Sequence, residues 1–325
     1  MTQSAHSVIT TPFISKEGSD MVRFIGSRLL RTVITIFAVL TFAFILARLT
    51  GDPVRLMLPD QATDDQVQAM RHTLGLDRPI VVQYLLFLAD AARGDLGDSI
   101  RQGQSAFGLV LERLPNTLEL AVTSFVLGFV IAVALTIIAE TTGNRRLRSA
   151  MLWLATIRQA IPPYLFGILL VLVFSVSLGL LPAIGRTSYA SFVLPVATMA
   201  TFEIALYLRL LMSSFDESRS LDYVRTARAK GASRARIVVR HMLPNALLPV
   251  ITIAGINLGV LMGGTVVLEM VFNWPGLGRL IVQGVTDRDY PIVQAGVVLI
   301  ALLFVVVNLV VDLLYAVLDP RVRLS

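Results

Sequence analysis

Long apolar segments, separated by shorter polar ones, recur along the whole chain. A helix that crosses the hydrocarbon core of a bilayer needs about 20 mainly apolar residues, and the chain holds six segments of that kind. They are Phe24–Arg48, Asn116–Ala139, Pro163–Leu181, Ser191–Met212, Ala246–Met270 and Pro291–Val317. The pattern predicts an all-α polytopic membrane protein with six transmembrane helices.

Two further apolar stretches need a different interpretation. Ala150–Ala160 is an apolar lead-in to the third segment. Pro162 and Pro163 predict a kink or break between the two, because proline lacks a backbone N–H and clashes with the preceding helical turn. Ile80–Ala92 is too short to cross a membrane, so we expect an interfacial or buried helix there.

The composition supports a membrane protein. Hydrophobic residues make up 55% of the 325 residues and charged residues only 15%, which leaves too little polar surface for a water-soluble chain. The chain has no cysteine and three widely spaced histidines. The sequence therefore offers no disulfide, no thiol nucleophile and no metal-binding motif.

The basic residues predict the orientation of the chain, because cytoplasmic loops of membrane proteins carry an excess of Lys and Arg. We expect a multi-pass protein of the bacterial plasma (inner) membrane with both termini in the cytoplasm. The cytoplasmic side then carries Lys16, Arg23, Arg28, Arg31, Arg145, Arg146, Arg148, Arg219, Arg225, Arg228, Lys230, Arg234, Arg236, Arg240, Arg321 and Arg323. This topology explains the net charge of +6, and no nucleic-acid partner is expected.

The longest external segment, Thr50–Leu114, is slightly acidic and is expected to form a small subdomain between the first two spans. Gly51-Asp52-Pro53 is a turn signal there, and Thr63 or Asp64 is expected to cap a short helix that runs through Leu74. The predicted divisions are a polar disordered tail (residues 1–22), the first span with the external subdomain (23–115), a core of five spans (116–317) and a C-terminal tail (318–325). The core contains the cytoplasmic loop (213–245). The sequence leaves Met1 and Met21 open as the start.

The basic segment between the fourth and fifth spans has the sequence features of two short helices. Asp222 is suited to cap a first helix, Tyr223–Lys230, and Gly231 follows where a left-handed residue ends a helix. Ser233 is suited to cap a second helix, Arg234–Met242, which Pro244 then ends or redirects.

This segment would present the small side chains of Ala227, Ala229 and Ala232 to a partner. The alternatives are a basic loop with incidental helicity and an amphipathic helix on the membrane surface.

The spacing within this segment resembles the coupling loop, named EAA after Glu-Ala-Ala, of permeases of ATP-binding cassette (ABC) importers. Arg225-Thr226-Ala227 takes the Glu-Ala-Ala place, Gly231 the glycine, and Leu243-Pro244 the end of the motif. The Glu, the first Ala and an Ile (here His241) differ from the general pattern. The form Arg-Thr-Ala-Arg-Ala-Lys-Gly is typical of the peptide/nickel branch of these permeases.

The resemblance covers almost the whole chain from Met21. It rests on Gly51-Asp52-Pro53-Val54, Gly94-Asp95-Leu96-Gly97-Asp98-Ser99, the segment 113–120, Phe272-Asn273-Trp274-Pro275-Gly276-Leu277-Gly278-Arg279-Leu280, Asp289-Tyr290-Pro291 and the segment 308–321. The chain is similar to the first (B-type) permease of dipeptide and oligopeptide importers. The resemblance implies the type I ABC importer permease fold, and a cargo of dipeptides, oligopeptides, nickel chelates or related small solutes.

The resemblance also implies partners: a second related permease (C-type), two cytoplasmic ABC ATPase subunits and an extracytoplasmic solute-binding protein, with membrane lipid around the spans. The chain itself contains no phosphate-binding loop and no metalloprotease or serine-hydrolase motif. We therefore expect no catalytic, cofactor-binding or metal-binding residue on this chain, with ATP and Mg²⁺ bound by the ATPase subunits.

Ionisable and polar groups inside the spans are candidates for the transport pathway, because they are costly there. The candidates are Glu203, Arg209 and Asn257. Glu203 and Arg209 are six residues, or about 600° of helix rotation, apart, so they do not share a face. The alternatives are a hydrogen bond to a neighbouring helix for Glu203, a position near lipid head groups for Arg209, and a helix-joining role for Asn257.

Trp274, Pro275 and Gly276 follow the fifth span and are candidates for an external gate or a contact with the binding protein. The alternative is an aromatic anchor at the membrane interface. A competing function for the whole chain is an ion-coupled secondary transporter of small solutes, which would need several carboxylates at mid-membrane. An intramembrane enzyme would need paired catalytic residues, which the spans do not offer.

Overall fold

The structure is a computed structural model that describes residues 26, 30–45, 54, 58, 61–73 and 75–318, without the side chains of residues 312–318. Several predictions lie outside the described residues. They concern the tail 1–22, the start at Met21, the turn Gly51-Asp52-Pro53, the helix end at Leu74, the side chain of Asp312 and the tail after residue 318.

Regular structure in the described part of the chain is helical, apart from one isolated bridge between Asp98 and Ser105. The helices are α1 (Leu30–Ile45), α2 (Asp64–Thr73), α3 (Ile80–Ala92), α4 (Ala106–Thr142), α5 (Arg145–Ala160), α6 (Pro163–Leu170), α7 (Val193–Ser218), α8 (Asp222–Ala229), α9 (Arg234–Arg236), α10 (Leu243–Val271), α11 (Leu277–Thr286) and α12 (Tyr290–Leu318). Two π-helical turns, Val171–Ser177 and Ile237–Met242, follow α6 and α9.

Among the described residues, four continuous helices are long and apolar enough to cross a membrane: Ala106–Thr142, Tyr189–Ser218, Arg234–Val271 and Tyr290–Val311. They contain the predicted second, fourth and fifth spans and most of the sixth, which confirms the all-α polytopic fold. The first predicted span is described only over α1, so its ends lie outside the described residues.

The predicted third span, Pro163–Leu181, contains the second arm of a bent pair of helices, Pro163–Ser177. The break at Pro162-Pro163 is confirmed, because α5 and the helix Pro163–Ser177 meet at 99°. However, α5 is the helix that runs antiparallel to α7, since Arg148 at its start contacts Asp216 and Arg158 near its end contacts Thr198. The four arginines of α5 lower its mean hydropathy, and α5 is apolar enough to cross a membrane only together with Pro163–Ser177.

The external segment contains the short helices α2 and α3. Thr63 caps α2 as predicted, because its Oγ1 accepts from Gln66 N (3.4 Å) while the side chain of Gln66 accepts from Thr63 N (3.0 Å). Helix α3 contacts α1 through Tyr84, whose hydroxyl lies 2.6 Å from Thr41 Oγ1. No residue of α3, a fully described helix, is buried, so the prediction of a buried helix is wrong and the interfacial alternative stays a prediction.

Candidate functional site

The first helix of the basic segment 222–244 is α8, and it begins one residue earlier than predicted. Leu221 occupies the N-cap position with an extended backbone, and Asp222 is the first helical residue. The prediction that Asp222 caps the helix is therefore wrong. Its carboxylate still lies in the first turn, where negative charge is favourable to the helix dipole, and it is 3.9 Å from Arg225.

The bend after α8 depends on Gly231, as predicted. Its φ is +74°, a left-handed conformation that side chains with a Cβ rarely adopt. The N–H of Gly231 donates to Arg228 O (3.0 Å) and the N–H of Ala232 donates to Ala227 O (3.1 Å), which closes the helix end. An added Cβ at Gly231 would meet no described atom within 4 Å, so the backbone angle requires glycine here and crowding does not.

The second helix does not end at Pro244, which corrects the prediction. Ser233 Oγ accepts from Arg236 N (3.4 Å) and caps α9 as expected. The chain then passes through the π-helical turn Ile237–Met242 into α10, so that Arg234–Val271 forms one helix of 38 residues. Pro244 lies in the first turn of α10, where its missing N–H can be accommodated as the helical register changes.

The side chain of Ala227 faces its own chain. It is buried in a cluster with Phe215, Val224, Ile237, Val238, Met242 and Ala246. The prediction that Ala227 is presented to a partner is therefore wrong. Exposed residues of this segment include Arg225, Thr226, Arg228, Ala229, Lys230, Gly231 and Pro244, while Ala232 and Leu243 pack against the cluster.

A cluster of charged side chains joins this segment to the ends of three helices, and the sequence analysis missed it. Glu140, in the last turn of α4, is only 2% exposed and accepts from Arg219 Nη2 (2.5 Å) and Arg148 Nε (3.3 Å). Arg148 also pairs with Asp216 (2.5 Å), and Arg234 Nε donates to the backbone oxygen of Glu140 (2.6 Å).

The structure brings together two of the three predicted pathway residues. Asn257 Nδ2 of α10 donates to Glu203 Oε2 (2.6 Å) and to the hydroxyl of Tyr207 (2.9 Å), both on α7. Glu203 thus makes a hydrogen bond to a neighbouring helix, as the alternative to a pathway role predicts. Arg209 is exposed and donates to Gln159 of α5 (2.5 Å), which agrees with the expectation that it does not pair with Glu203.

Close packing of α4 against α7 surrounds this network. Gly128 of α4 lies against Glu203 and against the backbone oxygen of Ala200, and a Cβ at position 128 would overlap the Glu203 side chain. The hydrogen-bonded carboxylate is therefore enclosed by three helices in this conformation.

Arg158 is a buried charge that the sequence analysis missed. Its guanidinium donates to Thr201 Oγ1 (2.9 Å), Ile161 O (3.1 Å) and Thr198 O (2.7 Å), and it lies 4.0 Å from the centre of the Phe166 ring. It thereby holds the sharp bend between α5 and α6 against α7. An arginine four residues before a proline pair in an apolar stretch was the available signal.

The side chain of Trp274 is 1% exposed and donates from Nε1 to Asn116 O (3.0 Å). The interpretation as an aromatic anchor at the membrane surface is therefore wrong. Asn116 in turn donates to Pro275 O (2.7 Å), which fixes the turn after α10 to α4. A gate or binding-protein contact formed by this turn stays a prediction.

A second buried carboxylate, Glu269, explains why this turn is fixed, and the sequence analysis missed it too. Glu269 is fully buried and accepts from Thr117 Oγ1 (2.6 Å) and from the N–H of Arg279 (2.9 Å) in the first turn of α11. Thr117 also accepts from Leu277 N (2.8 Å). A side chain at Gly276 would overlap the carboxylate, so the glycine is needed for this close approach.

The fold is shared with solved permeases. The chain matches the MetNI methionine ABC transporter in an inward-facing conformation with a TM-score of 0.54 and 22% identity, over 65% of this chain and 96% of that one. An amino acid ABC transporter solved with histidines matches with a TM-score of 0.51 and 16% identity, over 66% of this chain and 94% of that one. At these identities the matches show the fold alone.

Sequence comparisons show the family. Residues 21–121 match the N-terminal part of binding-protein-dependent transport system membrane components, and residues 143–324 match the binding-protein-dependent transport system inner membrane component. The glutathione transport system permease protein GsiC of Escherichia coli O6:H1 is 40% identical over 304 residues, which cover 93% of this chain and 99% of that protein. The GsiC protein of Escherichia coli K12 is 39% identical over the same length. The chain therefore belongs to the inner membrane components of binding-protein-dependent transport systems, the permease subunits of ABC importers.

Proposed function

We propose that this chain forms half of the translocation pathway of an importer for dipeptides, oligopeptides or related small solutes. The other half is a second, C-type permease, and two ABC ATPase subunits and an extracytoplasmic binding protein complete the importer. The name of the GsiC relatives refers to glutathione, which is itself a tripeptide, and this supports a small peptide as cargo.

The observation that carries the proposal is the construction of the segment 222–244. Its outer surface is basic and exposed, whereas its inner surface is packed on Phe215 and Ala246 at the ends of α7 and α10. The second half of the segment continues into a span without a break. A push on this surface by an ATPase subunit would therefore move a membrane helix directly.

Within this segment, Arg225, Thr226, Gly231 and Pro244 form the surface offered to the ATPase. Ala227 and Leu243 support that surface from beneath, because they pack on the buried cluster. ATP and Mg²⁺ are held by the ATPase subunits, so this chain contributes no catalytic group to hydrolysis. The arginines and Lys230 of the segment favour a cytoplasmic location, with both termini on that side.

A pathway role for Glu203, Arg209 and Asn257 stays a prediction. The Glu203–Asn257 hydrogen bond joins α7 to α10, the helix that continues from the coupling segment. Movement of α10 would therefore act on Glu203. Uptake by Glu203→Gln equal to that of the wild type would remove Glu203 from the pathway.

The energy source of uptake separates this proposal from an ion-coupled secondary transporter. We expect uptake in cells to stop on depletion of ATP and to survive a protonophore added while the ATP concentration is held constant. Uptake that stops with the protonophore at constant ATP would contradict the proposal. Binding measurements on the cognate solute-binding protein, with glutathione and a set of dipeptides and oligopeptides, would then identify the cargo.

A further inference from the structure

Glu140, at the end of α4, contacts residues on both sides of α8. Two arginines on either side of α8 approach Glu140. Arg219, which caps the end of α7 three residues before α8, reaches the Glu140 carboxylate (2.5 Å), and Arg234, the first residue of α9, reaches the Glu140 backbone oxygen (2.6 Å). One residue of α4 thus contacts the end of α7, where the chain enters the segment, and the beginning of α9.

The geometry around Arg234 is tight. Its guanidinium packs against Gly143, which ends α4 in a left-handed conformation with φ of +67°, and a Cβ at position 143 would overlap the Arg234 side chain. The end of α4 is therefore shaped to receive this arginine. Arg148 Nε of α5 lies 3.3 Å from the Glu140 carboxylate, and Arg148 Nη2 also pairs with Asp216 of α7.

Because Glu140 is buried, its contacts with the arginines matter for stability. The carboxylate is 2% exposed, whereas Arg148 and Arg219 are 25% and 42% exposed. Removing one partner of a buried charge pair is strongly destabilising because it leaves the other charge without compensation. The Glu140 carboxylate is thus held in one place by two arginines from two other helices, and it holds them in return.

Given the proposed function, on which this inference rests, we propose that Glu140 is a positioning residue for coupling. Its carboxylate fixes the end of α7, from which α8 follows, to α4 and through Arg148 to α5, and its backbone oxygen holds Arg234 of α9. Displacement of α8 and α9 by an ATPase subunit is then delivered to three membrane helices together as well as to α10. Without these contacts, the segment stays packed on α7 through Phe215 but can move while α4 and α5 stay in place.

The test uses the complete importer, with the second permease, the ATPase subunits and the binding protein reconstituted in proteoliposomes. The quantity measured is the amount of substrate imported per ATP hydrolysed. The ratio is measured on complexes purified intact, with unbound ATPase subunits removed, so that a variant that only lowers the yield of folded complex leaves it unchanged. Coupling free energies between sites of about 1–3 kcal/mol correspond to factors of roughly 5 to 150.

We expect Glu140→Gln to keep basal ATPase activity and to import roughly tenfold less substrate per ATP. Arg219→Gln removes one of the two arginine partners of the carboxylate and should lower the ratio by the same factor or less. Because the Glu140–Arg219 ion pair is already lost in Glu140→Gln, the double variant should be no worse than Glu140→Gln alone. The matched control is the exposed pair Asp90 and Arg93 on the external side, and Asp90→Asn and Arg93→Gln should leave the ratio unchanged.

An unchanged ratio in both Glu140→Gln and Arg219→Gln would overturn the inference, as would additive losses in the double variant. Neither result would affect the proposed function, provided that the wild-type complex imports substrate at the expense of ATP. Failure of the wild-type complex to do so would instead count against the proposed function itself.

Discussion

Replacing Gly231 by tryptophan should abolish substrate uptake while the chain remains in the membrane. Gly231 is exposed at the bend of the coupling segment, and an added Cβ meets no described atom of this chain within 4 Å. A large side chain there therefore projects toward whatever partner lies outside. If that partner is an ATPase subunit, the indole keeps the two surfaces apart, and hydrolysis no longer moves the spans.

The left-handed backbone of Gly231 requires a control for strain. A residue with a Cβ in such a conformation costs about 1–3 kcal/mol, and this cost is common to alanine and tryptophan. We therefore expect Gly231→Ala to lose part of the uptake, and Gly231→Asn to lose little because asparagine tolerates this conformation. The uptake rate of Gly231→Trp should be at least tenfold lower than that of Gly231→Ala, and a factor of ten corresponds to about 1.4 kcal/mol. Equal uptake by the alanine and tryptophan variants would mean that no partner surface lies at this bend.

Replacing Glu269 by leucine should destabilise the protein by about 2–4 kcal/mol, because buried hydrogen-bond donors left without a partner cost about 1–3 kcal/mol each. The carboxylate accepts from Thr117 of α4 and from the N–H of Arg279 at the start of α11. Leucine accepts neither bond, so the turn after α10 loses its attachment. The measurement is thermal unfolding of the purified complex in detergent, compared with the wild type.

Glu112→Leu is the matched control for Glu269→Leu, since Glu112 lies on α4 and is exposed. It should change the unfolding temperature little. Glu269→Gln, which retains an acceptor oxygen, should fall between the wild type and Glu269→Leu. Wild-type stability of Glu269→Leu would show that the carboxylate does not hold α4, α10 and α11 together.

Helices whose apolar runs are long were predictable from sequence, and so were breaks that depend on one residue. Helices α4, α7, α10 and α12 cover most of their predicted spans because an apolar run of sufficient length has few alternatives to crossing a membrane. The bend at Pro162-Pro163 and the left-handed Gly231 follow from the local chemistry of proline and glycine.

What sequence could not show depends on contacts between distant residues. Glu140 and Arg219 are 79 positions apart, and Glu269 and Thr117 are 152 apart, so nothing local marks either carboxylate as buried. The same applies to Ala227, whose small side chain suits its own chain's core as well as a partner's groove. The burial of Arg158 was not predictable either, because Thr198 O, which accepts from its guanidinium, is 40 positions away.

The central claim is that separate ATPase subunits bind the exposed face of the segment 222–244. The chain contains no cysteine, so Ala229→Cys places its only thiol on that face, at an exposed position of α8. A membrane-impermeant maleimide applied to inside-out vesicles tests the claim most directly, with Arg93→Cys, directly after α3 in the segment predicted to be external, as the control for sidedness.

We predict that Cys at position 229 is labelled in inside-out vesicles that lack the ATPase subunits and is protected when those subunits are present, whereas Cys at position 93 is labelled only from the opposite side. Labelling at position 229 that is equally fast with and without the ATPase subunits would contradict the account.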